Sequence, residues 1–340
     1  METQRQYQLR REGDGPATLT CVDAPVRQPG PREVLVQVRA VSLNRRDVYV
    51  RLGLYPGPKP ATLVPLSDGA GEVVATGEQV TRVKAGDRVA GIFFQKWLDG
   101  RPRPEHLATA LGGGVDGMLS QYVTLDADGL VTLPDHLSFE EAATLPCAGV
   151  TAWNALVTRG RTRPGDFVLL QGTGGVSTFG LLLAQALGGR PVITSASDDK
   201  LARARELGAV ATVNYRTTPD WDAAVRAATG GVGAHQALEV GGKDTLAKTL
   251  ASLAMGGHVA LIGGLTSFGG DVPASALMGN NATASGIYVG SRADFEALIG
   301  FLRAHPLRPV VDRVFPFDAA PAAFDYLDSG SLFGKVVVRL

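Results

Sequence analysis

Residues 171–180 read QGTGGVSTFG. Gly172 suits a tight turn, and Gly174 would let the backbone approach a diphosphate closely. The stretch follows a short apolar run, FVLLQ (167–171), and leads into a segment with helical spacing, GVSTFGLLLAQALG (175–188). In that strand–turn–helix setting, amides at the helix start face an anion. A glycine cluster alone is weak in a chain with 43 glycines, so the setting carries the reading. Gly172, Thr173, Gly174, Gly175 and Val176 are therefore expected to bind a dinucleotide. The third glycine of a GxGxxG loop would fall at Ser177. Its usual task is close helix–strand packing, which Gly180, one turn later, is placed to share.

A second strand, PVITSA (191–196), follows. NAD sites usually carry an acid at this point to hold the ribose hydroxyls. Here stand Thr194, Ser195 and Ser197, short hydroxyls that leave room for a 2′-phosphate, with Lys200 available as a cation. NADPH is preferred over NADH on this ground. Asp198 and Asp199 argue the other way unless they serve as first-turn acids of a helix.

The elements that must hold this loop run from about residue 138. Ser138 followed by Glu140 and Glu141 predicts a helix start. Strands FVLLQ, PVITSA, ATVNY (211–215), AHQALEVGG (234–242) and HVALIGG (258–264) then alternate with helices at 175–188, 199–209, 220–230 and 245–257. Such alternation predicts right-handed βαβ units and a parallel sheet, so the fold class is α/β with a doubly wound, Rossmann-type nucleotide-binding domain over 138–284. Residues 1–137 have a different grammar. Short turn-punctuated stretches, EVLVQVRAVSL (33–43), GEVVATG (71–77), DRVAGIFF (87–94) and LSQYVTL (119–125), predict strands, and 101–118 an irregular loop. After a helix at 292–306, the closing GKVVVRL predicts a strand returning to the first sheet, so 1–137 and 285–340 form one β-rich domain.

At 340 residues two domains are expected. The formal net charge is zero, which gives no footprint for nucleic acid. No apolar run reaches the roughly 18 residues of a membrane span. The opening METQRQYQLRREGDG shows no apolar signal region, and two cysteines, Cys21 and Cys147, make no disulfide framework. A cytoplasmic protein is expected. Five histidines, His106, His136, His235, His258 and His305, have no metal-ligand spacing, and only His106 lies in a loop able to overhang a cleft.

Chemistry in the first half concentrates in AVSLNRRDVYVRLGLYP (40–56) and PLSDGAGEVVATG (65–77). With LPCAGVTAW, GTGGVS, EVGG, LIGG and FGKVVV, these stretches resemble the medium-chain dehydrogenase/reductase superfamily from about residue 31 to the end. The resemblance implies a GroES-like (chaperonin-10-like) catalytic domain, an inserted nucleotide domain and a cleft between them. Zinc alcohol dehydrogenases of the superfamily place ligands where this chain has Asn44, Ser67 and Cys147. One thiol, an amide and a hydroxyl are not a zinc set, and the cysteine-rich structural lobe is absent. No metal is expected, and the chain is similar to the zinc-free quinone oxidoreductase branch.

The resemblance implies hydride transfer from NADPH to a quinone or an α,β-unsaturated carbonyl, whose conjugation spreads charge onto an oxygen that a neutral donor can hold. Asn44 is the expected donor, beside the nicotinamide, and Tyr49 or Tyr55 can supply a hydrogen bond or proton. Arg45 and Arg46 either are solvated or brace the substrate mouth, while Asp47 shapes the turn. Cys147 reads as an inert core thiol. For the cofactor the resemblance adds Thr151 near the carboxamide, Ser197, Lys200 and Tyr215 around the adenosine phosphate, Gly241 and Gly242 by the ribose, Ile262 and Gly263 beside the nicotinamide, and Phe333, Gly334 and Lys335 in a returning turn. It also implies a homodimer joined by edge strands. Two alternatives remain open at this point: a metal-free alcohol or aldehyde dehydrogenase, and a non-enzymatic NADPH-binding structural or regulatory protein. Loops 48–60, 95–118 and 265–290 are expected to set the cleft width.

Overall fold

A computed structural model describes residues 2–13, 15–267, 272 and 274–340; part of the expected cleft loop 265–290 therefore lies outside the described residues. The chain forms two compact units, Met1–Val150 with Gly290–Leu340, and Thr151–Val289.

The first unit opens with β1 (Thr3–Arg10) and β2 (Thr18–Pro25), an antiparallel pair. Then come β3 (Glu33–Leu43), α1 (Arg45–Arg51), the short β4 (Thr62–Leu63), β5 (Asp68–Thr76), β6 (Arg88–Gly91), α2 (Pro104–Leu107), β7 (Tyr122–Asp126), β8 (Leu130–Thr132) and α3 (Phe139–Ala142). Strand β3 is the expected 33–43 run, and its alternating valines Val34, Val36 and Val38 enter the core. In α3 the predicted start is realised as a capping box. Ser138 Oγ accepts from Glu141 N at 3.2 Å and Glu141 Oε2 from Ser138 N at 2.8 Å. This segment packs on β3 and β5, and the Cys147 amide bonds Asp68 at 3.2 Å, so residues 138–150 belong with the first unit, not with the nucleotide unit as the helix signal suggested. The backbone then passes through a π-helical turn (Leu145–Gly149), α4 (Val150–Trp153) and a second π-turn (Asn154–Arg159).

The second unit carries β9 (Phe167–Gln171), α5 (Gly175–Ala186), β10 (Arg190–Ser195), α6 (Asp198–Glu206), β11 (Ala211–Asn214), α7 (Trp221–Ala228), β12 (Ala234–Glu239), α8 (Lys243–Ala251), β13 (Leu253–Leu261), α9 (Ala274–Gly279) and β14 (Thr283–Gly286). The sheet order β11-β10-β9-β12-β13-β14 is the doubly wound order, parallel throughout, with its switch point between β9 and β12. One expected helix ends early. Residues 253–257 join β13, because Leu253 pairs with Ala234 and buries its side chain, while Gly256, at φ +73°, supplies the irregular turn.

The tail returns to the first unit as α10 (Arg292–Ala304), β15 (Val311–Pro316), α11 (Ala320–Asp328) and β16 (Lys335–Arg339). Strand β16 pairs antiparallel with β3, as the closing GKVVVRL predicted, inside a sheet ordered β15-β16-β3-β5-β6-β8. Among the described residues no helix is long and apolar enough to cross a membrane.

The opening serine has a structural answer. Ser177 is buried, and its Oγ donates to the last carbonyl of β9, Gln171 O, at 2.6 Å. The close packing falls to Gly180, where an added Cβ would lie 2.7 Å from Leu170 Cδ2 and 3.0 Å from Leu238 Cδ2. Gly180→Val is therefore expected to destabilise by about 1–3 kcal/mol through overpacking, and Ser177→Ala by about 1 kcal/mol. Urea denaturation measures both; a Gly180→Val protein as stable as the parent would show that β9 and α5 are not in tight contact.

Candidate functional site

In the second unit the backbone leaves β9 at Gly172 with φ +67°, a left-handed turn that favours glycine. Gly174 caps α5, and a Cβ added at Gly172 or Gly174 would meet nothing within 4 Å. The loop thus presents open backbone, and the first amides of a twelve-residue helix have no partner within it. Thr178 turns its hydroxyl back onto Gly174 O and Gly175 O; Thr173 is buried, and Gly174, Gly175 and Val176 are the accessible part of the loop.

Behind the loop lies a hub that sequence reading missed. Glu239, at the end of β12, is 1% exposed. Its carboxylate accepts from Gly241 N (2.8 Å), Gly242 N (2.9 Å), Thr245 Oγ1 (2.6 Å), Thr249 Oγ1 (2.5 Å) and Gln171 Nε2 (2.7 Å). Five donors hold the charge of a buried carboxylate and tie the C-terminal ends of β9 and β12 to α8. Gly242, at φ +94°, cannot carry a side chain, since a Cβ would sit 2.2 Å from Ser267 O. The only sequence signal was an acid closing the strand in EVGG. Ile262 and Gly263 follow β13 and bond Glu239 O through their amides, so they and Gly241 border the same switch point.

At the end of β10, Ser197 caps α6 by accepting from Lys200 N at 3.4 Å. Asp198 is exposed and its carboxylate accepts from Asn214 Nδ2 at 2.8 Å. Tyr215, 43% exposed, bonds Ser195 O through its amide, so Ser197, Lys200 and Tyr215 gather at one end of β10 and β11. Thr151 is buried at the start of this unit. The loop, the capped helix and the strand ends fit a dinucleotide.

The first unit holds a separate buried polar cluster. Asn44 closes β3 in extended conformation and caps α1. Asp47 Oδ2 accepts from Asn44 N at 2.7 Å. The chain's distant Lys335, 2% exposed, reaches in from β16, and its ammonium donates to Leu43 O (2.7 Å) and Asn44 Oδ1 (2.5 Å). Asp68 Oδ2 lies 3.8 Å from the same ammonium and also accepts from the Cys147 amide, while Asp68 Oδ1 accepts from Ser67 Oγ at 2.8 Å. Leu66, just before, has φ +71°, a strained conformation for a residue with Cβ. Gly334, at φ +100°, turns the chain between buried Phe333 and Lys335. In this turn the ammonium of Lys335 is engaged inside the first unit. Tyr49 is half-buried on α1, and its carbonyl accepts from the amides of Leu54 and Tyr55. The Tyr55 ring centroid lies 4.9 Å from the Arg46 guanidinium carbon. Arg45 is a surface residue paired with Asp328, whereas Arg46 is buried. His106 is buried in loop packing, stacked on Trp97.

Burial dominates the electrostatics. It raises Asp47 to about 6, against the pull of Arg46, and it raises Asp68 against the pull of Lys335. Burial also pushes the Cys147 thiol far up, with Asp68 adding to the effect, which disfavours the thiolate.

These two sites belong to a known class of enzymes. The family model described as "Alcohol dehydrogenase GroES-like domain" matches residues 30–135, and "Zinc-binding dehydrogenase" matches 175–304. A zinc-type alcohol dehydrogenase-like protein of Schizosaccharomyces pombe is 45% identical over 316 residues, 91% of each chain. Three solved structures are similar. A candidate alcohol dehydrogenase from Sinorhizobium meliloti 1021 is 40% identical, with TM-score 0.93 over 100% of both chains. An NAD-dependent alcohol dehydrogenase is 35% identical, with TM-score 0.89 over 99% of both. The quinone oxidoreductase of Pseudomonas syringae pv. Tomato DC3000 is 28% identical, with TM-score 0.82 over 99% of this chain and 100% of that one. The chain belongs to the medium-chain dehydrogenase/reductase superfamily and is an NAD(P)-dependent oxidoreductase.

The zinc that one family model's description implies does not fit the donors present. Asn44 Oδ1 is taken by an ammonium, and Ser67 gives its proton to Asp68, which leaves Cys147 as a single soft donor. A dication there would face the Lys335 charge. Among the described residues no group of three His, Cys, Asp or Glu side chains is placed to hold a metal.

Two predictions follow from the cluster's charges. Lys335→Met strands a buried Asp68 and is expected to cost about 3–5 kcal/mol in urea denaturation; adding Asp68→Asn should recover part of that loss, and no recovery would mean the pair is not coupled. The folded protein holds the Asp47 proton more tightly than the unfolded chain, whose value is near 3.8. Stability from this proton is therefore full below about pH 4 and lost as pH rises to about 6, by up to roughly 3 kcal/mol. Asp47→Asn should flatten that part of the melting-temperature profile between pH 4 and 6, and an unaltered slope would assign it to other groups.

Proposed function

We propose that the protein is a metal-independent reductase that uses NADPH to reduce quinones or α,β-unsaturated carbonyls. The observation that carries this reading is the orientation of Asn44. An ammonium has only hydrogens to offer, so the side-chain atom facing Lys335 must be the amide oxygen, which leaves Nδ2 as the donor. The amide helps hold the Asp68 carboxylate, yet Nδ2 is buried with no formed hydrogen bond among the described residues. An amide nitrogen carries two hydrogens, so leaning one toward Asp68 leaves the other for an acceptor oxygen.

The bound dinucleotide supplies a hydride. As an enone takes it at the β-carbon, the π electrons move onto the carbonyl oxygen, and Asn44 Nδ2 donates a hydrogen bond to the charge that builds there. Lys335 strengthens that donor by drawing on its oxygen. A proton then completes the saturated ketone, or the hydroquinone when the acceptor is a quinone. Tyr49 and Tyr55, on α1 and the turn after it, carry the hydroxyls proposed to pass that proton. NADPH is favoured over NADH because β10 ends in short hydroxyls and Asp198 is engaged with Asn214. We place the enzyme in the cytoplasm as a homodimer joined along β14, the last strand of its sheet among the described residues.

Steady-state NADPH oxidation by chelator-treated protein, with 1,4-benzoquinone, but-3-en-2-one and acetaldehyde as parallel acceptors, tests the reading. Quinone or enone turnover should survive chelation, and Asn44→Ala should lower its kcat by about 10²–10³-fold. Turnover of acetaldehyde alone, or activity restored by zinc, would assign the protein to the alcohol dehydrogenase chemistry of its other relatives.

A further inference from the structure

Arg46 is the second residue of α1, and its side chain is 7% exposed. Its Nη1 donates to Leu111 O at 2.9 Å and meets Asp47 Oδ1 at 3.2 Å. The rings of Tyr55 and Phe93 each lie 4.9 Å from its Cζ. Gly113 borders Nη2 so closely that a Cβ there would come within 2.3 Å of it. The remaining donors, Nε and Nη2, are buried with no partner among the described residues.

Those two nitrogens form the side-on edge of a guanidinium, two parallel N–H bonds with the spacing of a carboxylate's oxygens. Folded proteins rarely leave a buried cation's donors unused. The aromatic rings exclude water from around this group and add attraction of their own, so an anion meeting the free edge would be held in low dielectric. A shared carboxylate ties Arg46 to the turn that carries Asn44. Asp47 accepts from the Asn44 backbone through Oδ2 and meets Arg46 through Oδ1, so Asn44 and Arg46 stand on one turn braced by the same carboxylate.

We propose that Arg46 is a substrate-specificity residue that binds a carboxylate on the acceptor, making the preferred substrates small enones bearing a carboxylate, not neutral quinones. This rests on the reading of Asn44 as the donor to the acceptor's carbonyl oxygen.

The test compares kcat/KM for (E)-4-oxopent-2-enoate with that for its methyl ester, which keeps the enone and removes the charge; 1,4-benzoquinone serves as the neutral reference. The wild-type acid-to-ester ratio should exceed about tenfold, the worth of a charged hydrogen bond. In Arg46→Met that ratio should fall to about one, and Arg46→Lys, a point charge without a fork, should restore only part of it. Because the readout is a ratio within one protein, general damage by the substitution does not alter it. A wild-type ratio near or below one, or a ratio unmoved by Arg46→Met, overturns the proposal while turnover of ester and quinone leaves the reductase reading standing. If no acceptor is reduced, the reductase reading fails, and thermal-shift titration with 4-oxopentanoate decides the fork alone. Stabilisation of wild type but not of Arg46→Met supports the carboxylate site, and no stabilisation of either overturns it.

Discussion

An ammonium group sealed at 2% exposure must be answered from every side, and in this protein the answer organises the first unit. Lys335 lies on the last strand, yet its partners Leu43, Asn44 and Asp68 sit almost three hundred residues earlier in the chain. Strand β16 can deliver it only in one register against β3, with Val336 opposite Leu43. A slip by one residue would turn the lysine toward the other face of the sheet and leave Asp68 charged and alone. The closing strand thus does more than fill its place between β15 and β3. It carries the counter-charge for a carboxylate that the β5 turn has already buried, and this ties the two sequence-distant pieces of the unit together.

The second unit meets the same constraint in another way. Among the described residues no cation reaches Glu239; instead five neutral donors surround it. Such a shell is directional, so it fixes the backbone after β12 and the end of β9 at once. Those are the two strands flanking the switch point, where a loop must be stiff enough to present its amides without a side chain's help. Ser177 adds the last tie, from α5 back to Gln171 O, on the inner side of the loop. The glycines give access, and the buried oxygens behind them give rigidity.

Local physics was readable in the residues, and long-range pairing was not. The buried parallel strands announced themselves as continuous apolar runs such as FVLLQ, and the start of α3 as Ser138 with Glu141, because both depend on neighbours within a few residues. The packing glycine at 180 was legible for the same reason, being one turn from the loop it serves. The helix expected over 245–257 ran too far because Leu253 has helical spacing but a strand partner, Ala234. At the candidate site Asn44 stood out by its residue type at its position. Its orientation did not, since the ammonium that sets it comes from the far end of the chain, and FGKVVV read as easily as a turn toward a cofactor. Asp47 was legible as a residue shaping the turn, and Arg46 as a cation either solvated or bracing a substrate mouth; the burial of Arg46 depends on Phe93, Tyr55 and the 111–113 loop, which meet it through the fold.

The cluster around Asn44 contains two buried cations, Arg46 and Lys335, and two buried carboxylates, Asp47 and Asp68. Three of these four are matched: Lys335 by Asp68 and by two neutral oxygens, and Asp47 by the Asn44 amide as well as by Arg46. Of the four charged groups, Arg46 keeps an edge without a partner among the described residues. Burial works against the charge of both carboxylates, raising each. A second anion placed beside Arg46 would compete with Asp47 for the same guanidinium and raise Asp47 further, drawing in a proton. On the proposed reading of Arg46, binding an anionic acceptor and protonating this turn would therefore be linked. Reduction of an enone consumes one proton beyond the hydride, and under that reading substrate entry would draw a proton to Asp47, on the turn that carries Asn44.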